Sequence, residues 1–498
     1  MKKISLIYIF IILLGFLFFS YKITSIPPGL ETDEGSISYN SALISQNLKD
    51  QNNRFLPIFI LSSDKNDWKQ PVLIYFIAIL FRLFGKTFFV YKLANIIFSL
   101  LSGIFLIKII NLLFKNKIYS IIGFLIYITT PIIFITTRIG NESLLPSLIS
   151  SLWLLSLLLY KSKHKSILLI INALSIGIGF YSFKGMRIIS PIWSIISFIY
   201  IYILAWNKNF TIKKNILNKN NISKIALFSL TVLPFFLITP ILELKYAGAV
   251  FDRQSVSIIS IYNFFYYWLS NLSLSFWFTT PDVGKVYNIA TFGAIFMFFI
   301  PFFIIGIFNA IKRKNDLLFI LICLVLTPSL FGVARSVNYT HRLTACLPFI
   351  IILIVYGIKI IFESIKFNKY KQYIYIVFIL LFSLSFIDFY SFYFFEYPKL
   401  HTTQQAFGKY TLPFFIKLSE LSNNFNLKPY VQEYIYNSEG DEHNFYNIIY
   451  FNNKINIWKL GDNLPNKSIL LTENDNIKGF TNSGFSSKSN LYILIKND

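Results

Sequence analysis

Pro27-Pro28-Gly29-Leu30-Glu31-Thr32-Asp33-Glu34-Gly35-Ser36-Ile37-Ser38-Tyr39-Asn40 decides how this chain is read. It follows an apolar run, Ile4–Phe19, with the dimensions of a first membrane span. Pro27, Pro28 and Gly29 stop a helix and turn the chain at the membrane surface. Asp33 and Glu34 then stand just beyond the hydrocarbon, and many further apolar segments follow. The expectation is that those segments scaffold an acidic site.

Composition agrees. Of 498 residues, 55% are hydrophobic and 14% charged, and the mean hydropathy is +0.58. These values describe a polytopic membrane protein. The net charge of +23 lies in short loops between apolar runs, as orientation charges do, so nucleic acid is not the implied partner. Cys323 and Cys346 fall in or beside apolar runs and form no metal or disulfide motif. Lys2 and Lys3 precede the first run, and no Ala-x-Ala-like cleavage site follows it. The start therefore reads as an uncleaved signal anchor with a cytoplasmic N-terminus.

Working outward, apolar runs and loop charges give an all-α polytopic protein with about 11 transmembrane helices. The spans are Ile4–Ile23, Phe89–Phe114, Ile118–Thr137, Ser143–Tyr160, Ile167–Phe183, Ile188–Trp206, Ile225–Leu244, Ala290–Ala310, Leu317–Ala334, Arg342–Phe362 and Tyr373–Phe395. Inner loops carry clusters such as Lys161, Lys163 and Lys165, or Lys312, Arg313 and Lys314. The segment Val72–Phe84 is short, and counting it as a span inverts that pattern; it reads as an outer-face amphipathic helix. Ser36–Leu48 has helical spacing and suits the interface, and Trp268 and Trp277 read as interface anchors. Residues 1–395 form a transmembrane domain whose outer loop, 25–88, carries the acidic motif. Residues 396–498 form a small extracytoplasmic α/β domain, with a helix over Thr402–Leu421 and strands at Ile448–Phe451, Ser468–Thr472 and Leu491–Ile495.

The outer ends of the spans collect Asp33, Glu34, Lys69, Arg138, Glu142, Lys184, Arg187, Asp252, Arg253, Arg335, His341 and Arg342. Taken singly, an outer Lys or Arg is a snorkelling anchor. Together with carboxylates, the set suits an anionic lipid head group: cations neutralise phosphate and a carboxylate handles a proton. Asp33-Glu34 reads either as the acidic first turn of an interfacial helix or as a general base or metal ligand. His341 reads as a helix-start polar residue or a metal ligand. Glycine-rich phosphate loops, zinc spacings and nucleophile elbows do not occur.

Several motifs resemble the GT-C clan of membrane glycosyltransferases, namely the protein O-mannosyltransferase family and its bacterial aminoarabinose-transferase relatives (glycosyltransferase family 39-like). Pro-Pro-Gly-Leu-x-x-Asp33-Glu34 with Tyr39-Asn40 looks like their first outer-loop motif. Trp68-Lys69-Gln70-Pro71 with Leu83-Phe84-Gly85 is similar to their Lys-Pro-Pro-Leu…Leu-Phe-Gly segment, Gln70 departing from the double proline. Arg138 with Glu142, Tyr181-Ser182-Phe183 with Arg187, Arg253 with Ser257, and Arg342 ahead of Leu347-Pro348 also look like family positions.

The resemblance implies a polyprenyl-phosphate sugar donor, an inverting transfer to an acceptor hydroxyl and a cleft at the membrane surface. By position, Asp33 is then the catalytic carboxylate with Glu34 beside it. Lys69 and Arg342 contact the donor phosphate, as do Arg138 and Arg187. Glu142, Lys184, Arg253, Arg335 and His341 are further cleft candidates. A divalent metal is optional, and the acceptor is a protein, a lipid glycan or a cell-wall polymer. The expected location is the plasma membrane, with the C-terminal domain extracytoplasmic. The competing classes are a lipid-linked-sugar transporter or flippase, which places polar residues at the midplane in repeated halves, and a glycan polymerase or ligase, which keeps its key residues in one large late loop.

Overall fold

The structure is a computed structural model that describes residues 2–63, 67–206, 219–250, 260–284, 286–313, 315–332, 339–364, 368–407, 411–438, 440–477, 479–486 and 491–496. Among these residues, six helices are long and apolar enough to cross a membrane: Phe88–Phe114, Glu142–Lys163, Met186–Leu204, Ile222–Lys245, Thr340–Ser364 and Gln372–Lys399. The number reaches eight if two bent pairs each form one span. These are Lys117–Thr129 with Pro131–Arg138, bent by 59°, and Met297–Arg313 with Asp316–Gly332, bent by 119°.

The chain is thus the expected polytopic α-helical protein, with fewer full spans than the eleven read from composition. Prolines and irregular backbone account for part of the difference. Pro131 removes an amide hydrogen from the ladder and opens the bend after Thr129. The apolar run from Ala290 is not helical until Met297. The helix begun at Asp316 ends at Leu326, just before Thr327-Pro328. Ser166–Phe180 and Pro71–Phe84 are apolar helices of 10–17 residues. At 1.5 Å per residue that is about 15–25 Å, short of a ~30 Å core.

The chain divides into two compact units. The first comprises Met1–Tyr21, Asn95–Thr137 and Glu142–Tyr393; the second comprises Lys22–Ala94, Arg138–Asn141 and Phe394–Asp498. In the first unit, helices pack through small residues and buried hydroxyls. A Cβ on Gly306 would lie 2.0 Å from the Leu353 carbonyl oxygen, and one on Gly357 would lie 1.8 Å from that of Phe302. Two helices therefore cross backbone to backbone, as small-residue crossings allow. Trp153 and Trp193 stack at 4.7 Å, and their indole N–H groups donate to Ser197 and Thr327. Trp277 is buried, with its N–H on the Asn271 carbonyl, so it is a core residue and not an interface anchor.

In the second unit, the helix Thr32–Asn47 packs against Pro71–Phe84 and against Gly440–Phe451. It is largely buried within this unit. Pro71 sits at the first helical position of its helix and Gly85, at φ +84°, ends it. That helix buries Leu73, Ile74, Ile77 and Phe81, yet Ile79, Leu83 and Phe84 stay exposed. Apolar residues on both faces suit a helix that meets lipid on one side.

A hairpin pairs β1 (Ile60–Leu61) with β2 (Trp68–Lys69). The C-terminal sheet holds β3 (Lys428–Gln432), β4 (Asn456–Trp458), β5 (Ser468–Thr472), β6 (Thr481–Ser486) and β7 (Tyr492–Lys496). Their order is β4-β3-β5-β7-β6. β3 runs parallel to β4 and β5, and β7 is antiparallel to β5 and β6. The expected strand Ile448–Phe451 is instead the end of the helix Gly440–Phe451. Phe445, Ile448 and Phe451 recur every three residues and are buried together, which is a helical stripe. Asn452 and Asn453, at φ +51° and +63°, stop it. The expected helix Thr402–Leu421 is two helices, His401–Ala406 and Thr411–Asn424.

Candidate active site

In the second unit, the acidic stretch opens the helix Thr32–Asn47. Glu31 is the N-cap, and its N–H donates to Glu34 Oε2 at 3.2 Å, closing a capping box. Asp33 and Glu34 occupy the first turn, where the helix dipole favours negative charge. Helical geometry then points the two neighbours in different directions, and their surroundings diverge.

Glu34 is wholly buried. Its Oε1 accepts from Lys92 Nζ and from the Gly140 N–H at 2.6 Å. Lys92, also fully buried, lies near the start of the helix Phe88–Phe114. Glu34 is therefore spent on an internal ion pair and two backbone amides. Asp33 is different: its side chain is 53% exposed, and Oδ1 accepts from Lys69 Nζ. Lys69 is 5% exposed and also donates to Asp67 Oδ2 at 2.5 Å. Two carboxylates thus share one buried ammonium, leaving a net negative charge at the open end of the group.

Glu31 completes the cluster and accepts from Asn141 Nδ2 at 2.7 Å. Burial first, then the charges of Asp33 and Glu34, push its carboxyl well above the usual range; Asn141 and Lys69 oppose the shift. Arg138 is fully buried, donates to the Ile26 carbonyl at 2.9 Å and stacks on Phe394 at 5.1 Å. It holds the entry to the loop.

The C-terminal segment of this unit closes over the same helix. A Cβ on Gly35 would lie 2.6 Å from Glu442 Cγ. The Ser63 hydroxyl donates to Asp441 Oδ1, and Tyr446 accepts from the Leu30 N–H at 3.2 Å.

In the first unit, Asp282 and His341 form a second polar group. Asp282 Oδ2 accepts from the Thr340 hydroxyl at 2.8 Å and from the His341 N–H at 2.9 Å, and His341 Nδ1 lies 2.9 Å away. Burial works to raise this carboxyl, but the bonds and charge of His341 and the Gly284 amide win and hold it below its ordinary value. The imidazole stacks on Tyr287 at 4.0 Å, and the Tyr287 hydroxyl donates to Ser143 at 3.2 Å. His341 is thus tied to a carboxylate at the start of its helix. Among the described residues no group of three His, Cys, Asp or Glu side chains is disposed to hold a metal ion. Arg342 is exposed, its guanidinium 4.1 Å from the Tyr339 ring.

Arg187 donates to the carbonyls of Ala249 and Val250 at 2.6 and 3.1 Å, within electrostatic reach of Glu142 and Glu243. Lys184 is half-buried in the turn before it. Asp252, Arg253 and Arg335 lie outside the described residues.

The structure therefore brings Asp33, Glu34, Lys69 and Arg138 together in one unit and places Glu142, Lys184, Arg187, His341 and Arg342 in the other. Sequence reading missed Lys92, Asp67, Asn141 and the pairing of Asp282 with His341. A lysine inside an apolar run, as Lys92 is, was the available signal, because such a charge needs a buried partner.

Residues 68–217 match the family model for dolichyl-phosphate-mannose-protein mannosyltransferase. The search of curated proteins finds no match. Among solved structures, the chain is similar to ArnT from Cupriavidus metallidurans in the apo state. The TM-score is 0.51 at 11% identity, covering 98% of this chain and 97% of that one. The same protein bound to undecaprenyl phosphate gives a TM-score of 0.48 at 11% identity over the same shares. The archaeal oligosaccharyltransferase AglB from Archaeoglobus fulgidus, in complex with an inhibitory peptide and a dolichol-phosphate, gives 0.49 at 11% identity over 88% of this chain. The chain spans 63% of the length of that oligosaccharyltransferase. This integral membrane protein thus matches a mannosyltransferase family model over residues 68–217, and its fold is similar to that of ArnT over nearly the whole chain.

Proposed function

We propose that the chain transfers a sugar from a polyprenyl-phosphate carrier to an acceptor hydroxyl, with inversion, on the extracytoplasmic face of the plasma membrane. Residues 1–395 then serve as the transmembrane catalytic domain, with the N-terminus cytoplasmic, and 396–498 as an extracytoplasmic domain. The observation that carries this reading is the contrast between the two neighbouring carboxylates. Glu34 is buried and consumed by Lys92, whereas Asp33 is half-exposed and fixed from behind by Lys69.

A carboxylate held in place with an open face is suited to general base work. Asp33 takes the proton of the acceptor hydroxyl while the acceptor oxygen attacks the anomeric carbon from the opposite side. The carbon–oxygen bond to phosphate breaks, and the phosphate leaves with the electron pair. Lys69 holds the Asp33 carboxylate in place through their ion pair. Arg342 and Arg187 are the proposed phosphate contacts of the first unit, bidentate guanidinium donors being suited to phosphate.

Asp33→Asn tests the reading in purified protein given a labelled polyprenyl monophosphate sugar and a hydroxyl acceptor. Transfer should fall by about 10²–10⁴, the usual worth of a positioned base, with an unchanged melting temperature. Full activity in a folded Asp33→Asn protein refutes the role.

A further inference from the structure

The helix Gln372–Lys399 is the least buried of the six long spans. Only 6% of its apolar window is buried, against 22–89% in the others. Asp388 lies exposed on it, with no ion pair or side-chain hydrogen bond to any described residue. It is eight residues before Glu396, about 12 Å along the axis, and two before the half-buried Tyr390. A carboxylate exposed on an apolar span is costly if it meets hydrocarbon and marks a site suited to a partner.

A cavity of about 550 Å³ opens beside it within the first unit. Phe278, Phe292 and Phe296 supply an apolar wall, while Ser385 and Asp388, one helical turn apart, supply a polar edge. Among the described residues no Lys, Arg or His lines it. The Ser385 hydroxyl donates its hydrogen to the Leu381 carbonyl at 3.0 Å, so toward the cavity Ser385 offers only lone pairs. An ionised Asp388 likewise only accepts. The edge formed by Ser385 and Asp388 is acceptor-only and negative; the other polar lining is the neutral hydroxyls of Thr279 and Thr291. Phosphate and carboxylate heads are repelled there, and a primary ammonium, with three donors and a positive charge, satisfies both residues.

We propose that this groove binds an aminophospholipid of the surrounding bilayer, with one acyl chain along the phenylalanine wall and the ammonium on Asp388 and Ser385. The full chain in detergent, equilibrated with phosphatidylethanolamine, phosphatidylcholine or phosphatidylglycerol and read by native mass spectrometry, tests this. The parent should retain phosphatidylethanolamine over both others by about fivefold, the worth of one partly screened ion pair. Phosphatidylcholine keeps the charge but lacks the N–H donors. Asp388→Asn should bring all three lipids to equal retention at an unchanged melting temperature. Equal retention by the parent overturns the proposal, as does an unchanged preference in Asp388→Asn. If the variant does not fold, the parent's preference alone decides.

Discussion

Replacing Lys92 with Met separates structure from chemistry at the acidic motif. Lys92 and Glu34 are both fully buried and paired, so Lys92→Met leaves the Glu34 carboxylate with only the amides of Gly140 and Glu31. Breaking a buried pair from one side costs about 3–5 kcal/mol. In a unit of about 150–250 residues, 1 kcal/mol moves the melting temperature by about 2–4 °C, so a fall of about 6–20 °C is expected. Lys92→Met with Glu34→Gln removes both charges and should recover most of that loss, since a buried pair is often near neutral against an uncharged substitute of similar volume. Fluorescence-detected thermal melting in detergent reads both proteins. A melting temperature for Lys92→Met within about 2 °C of the parent refutes the claim that the pair holds this helix in place. Sugar transfer retained by the stable double variant assigns Glu34 to architecture; its loss at full stability returns Glu34 to the reaction.

Glu31 has its carboxyl pushed above the usual range by burial and by Asp33 and Glu34. Its folded state therefore holds a proton that the unfolded chain releases, and stability falls as pH rises through that window. Glu31→Gln should flatten this decline as pH rises above the ordinary carboxylate range, seen as a smaller change in melting temperature than in the parent. Asp282 is the opposite case: its carboxyl is held low, so its contribution is full above the ordinary carboxylate range and is lost as pH falls through the folded value. Asp282→Asn should cost about 1–3 kcal/mol at pH 7, and its melting temperature should approach the parent's in acid. Gly35→Ala places a methyl group 2.6 Å from Glu442 Cγ and 2.9 Å from its backbone nitrogen. Overpacking of that kind should cost about 1–3 kcal/mol, read as loss of protection from proteolysis in 440–451.

The polytopic class was legible because apolar runs and loop lysines are one-dimensional signals. The number of full spans was not, because run length counts composition and ignores where the backbone breaks, as it does after Thr129 and before Met297. At the site, Asp33, Glu34 and Lys69 were visible as a motif, and their division of labour was not. Which of two adjacent acids faces inward depends on Lys92, 58 residues away, and no local spacing reveals that pairing. The C-terminal strands failed where helical and extended apolar runs look alike: Ile448–Phe451 is four residues long, too short to show its period. The role of Asp282 was not legible because its partner, His341, lies 59 residues away in sequence.

The seating of the helix Gly440–Phe451 on Gly35 carries a consequence for biosynthesis. Asp33 and Asp441 are separated by 408 positions, so a ribosome adding about 5–20 residues per second needs roughly 20–80 s to reach the second from the first. Throughout that interval the acidic helix has emerged without the segment that covers it. An earlier-made helix is thus completed by a segment made 408 positions later, and quality-control proteases have that whole interval to act on the acidic motif.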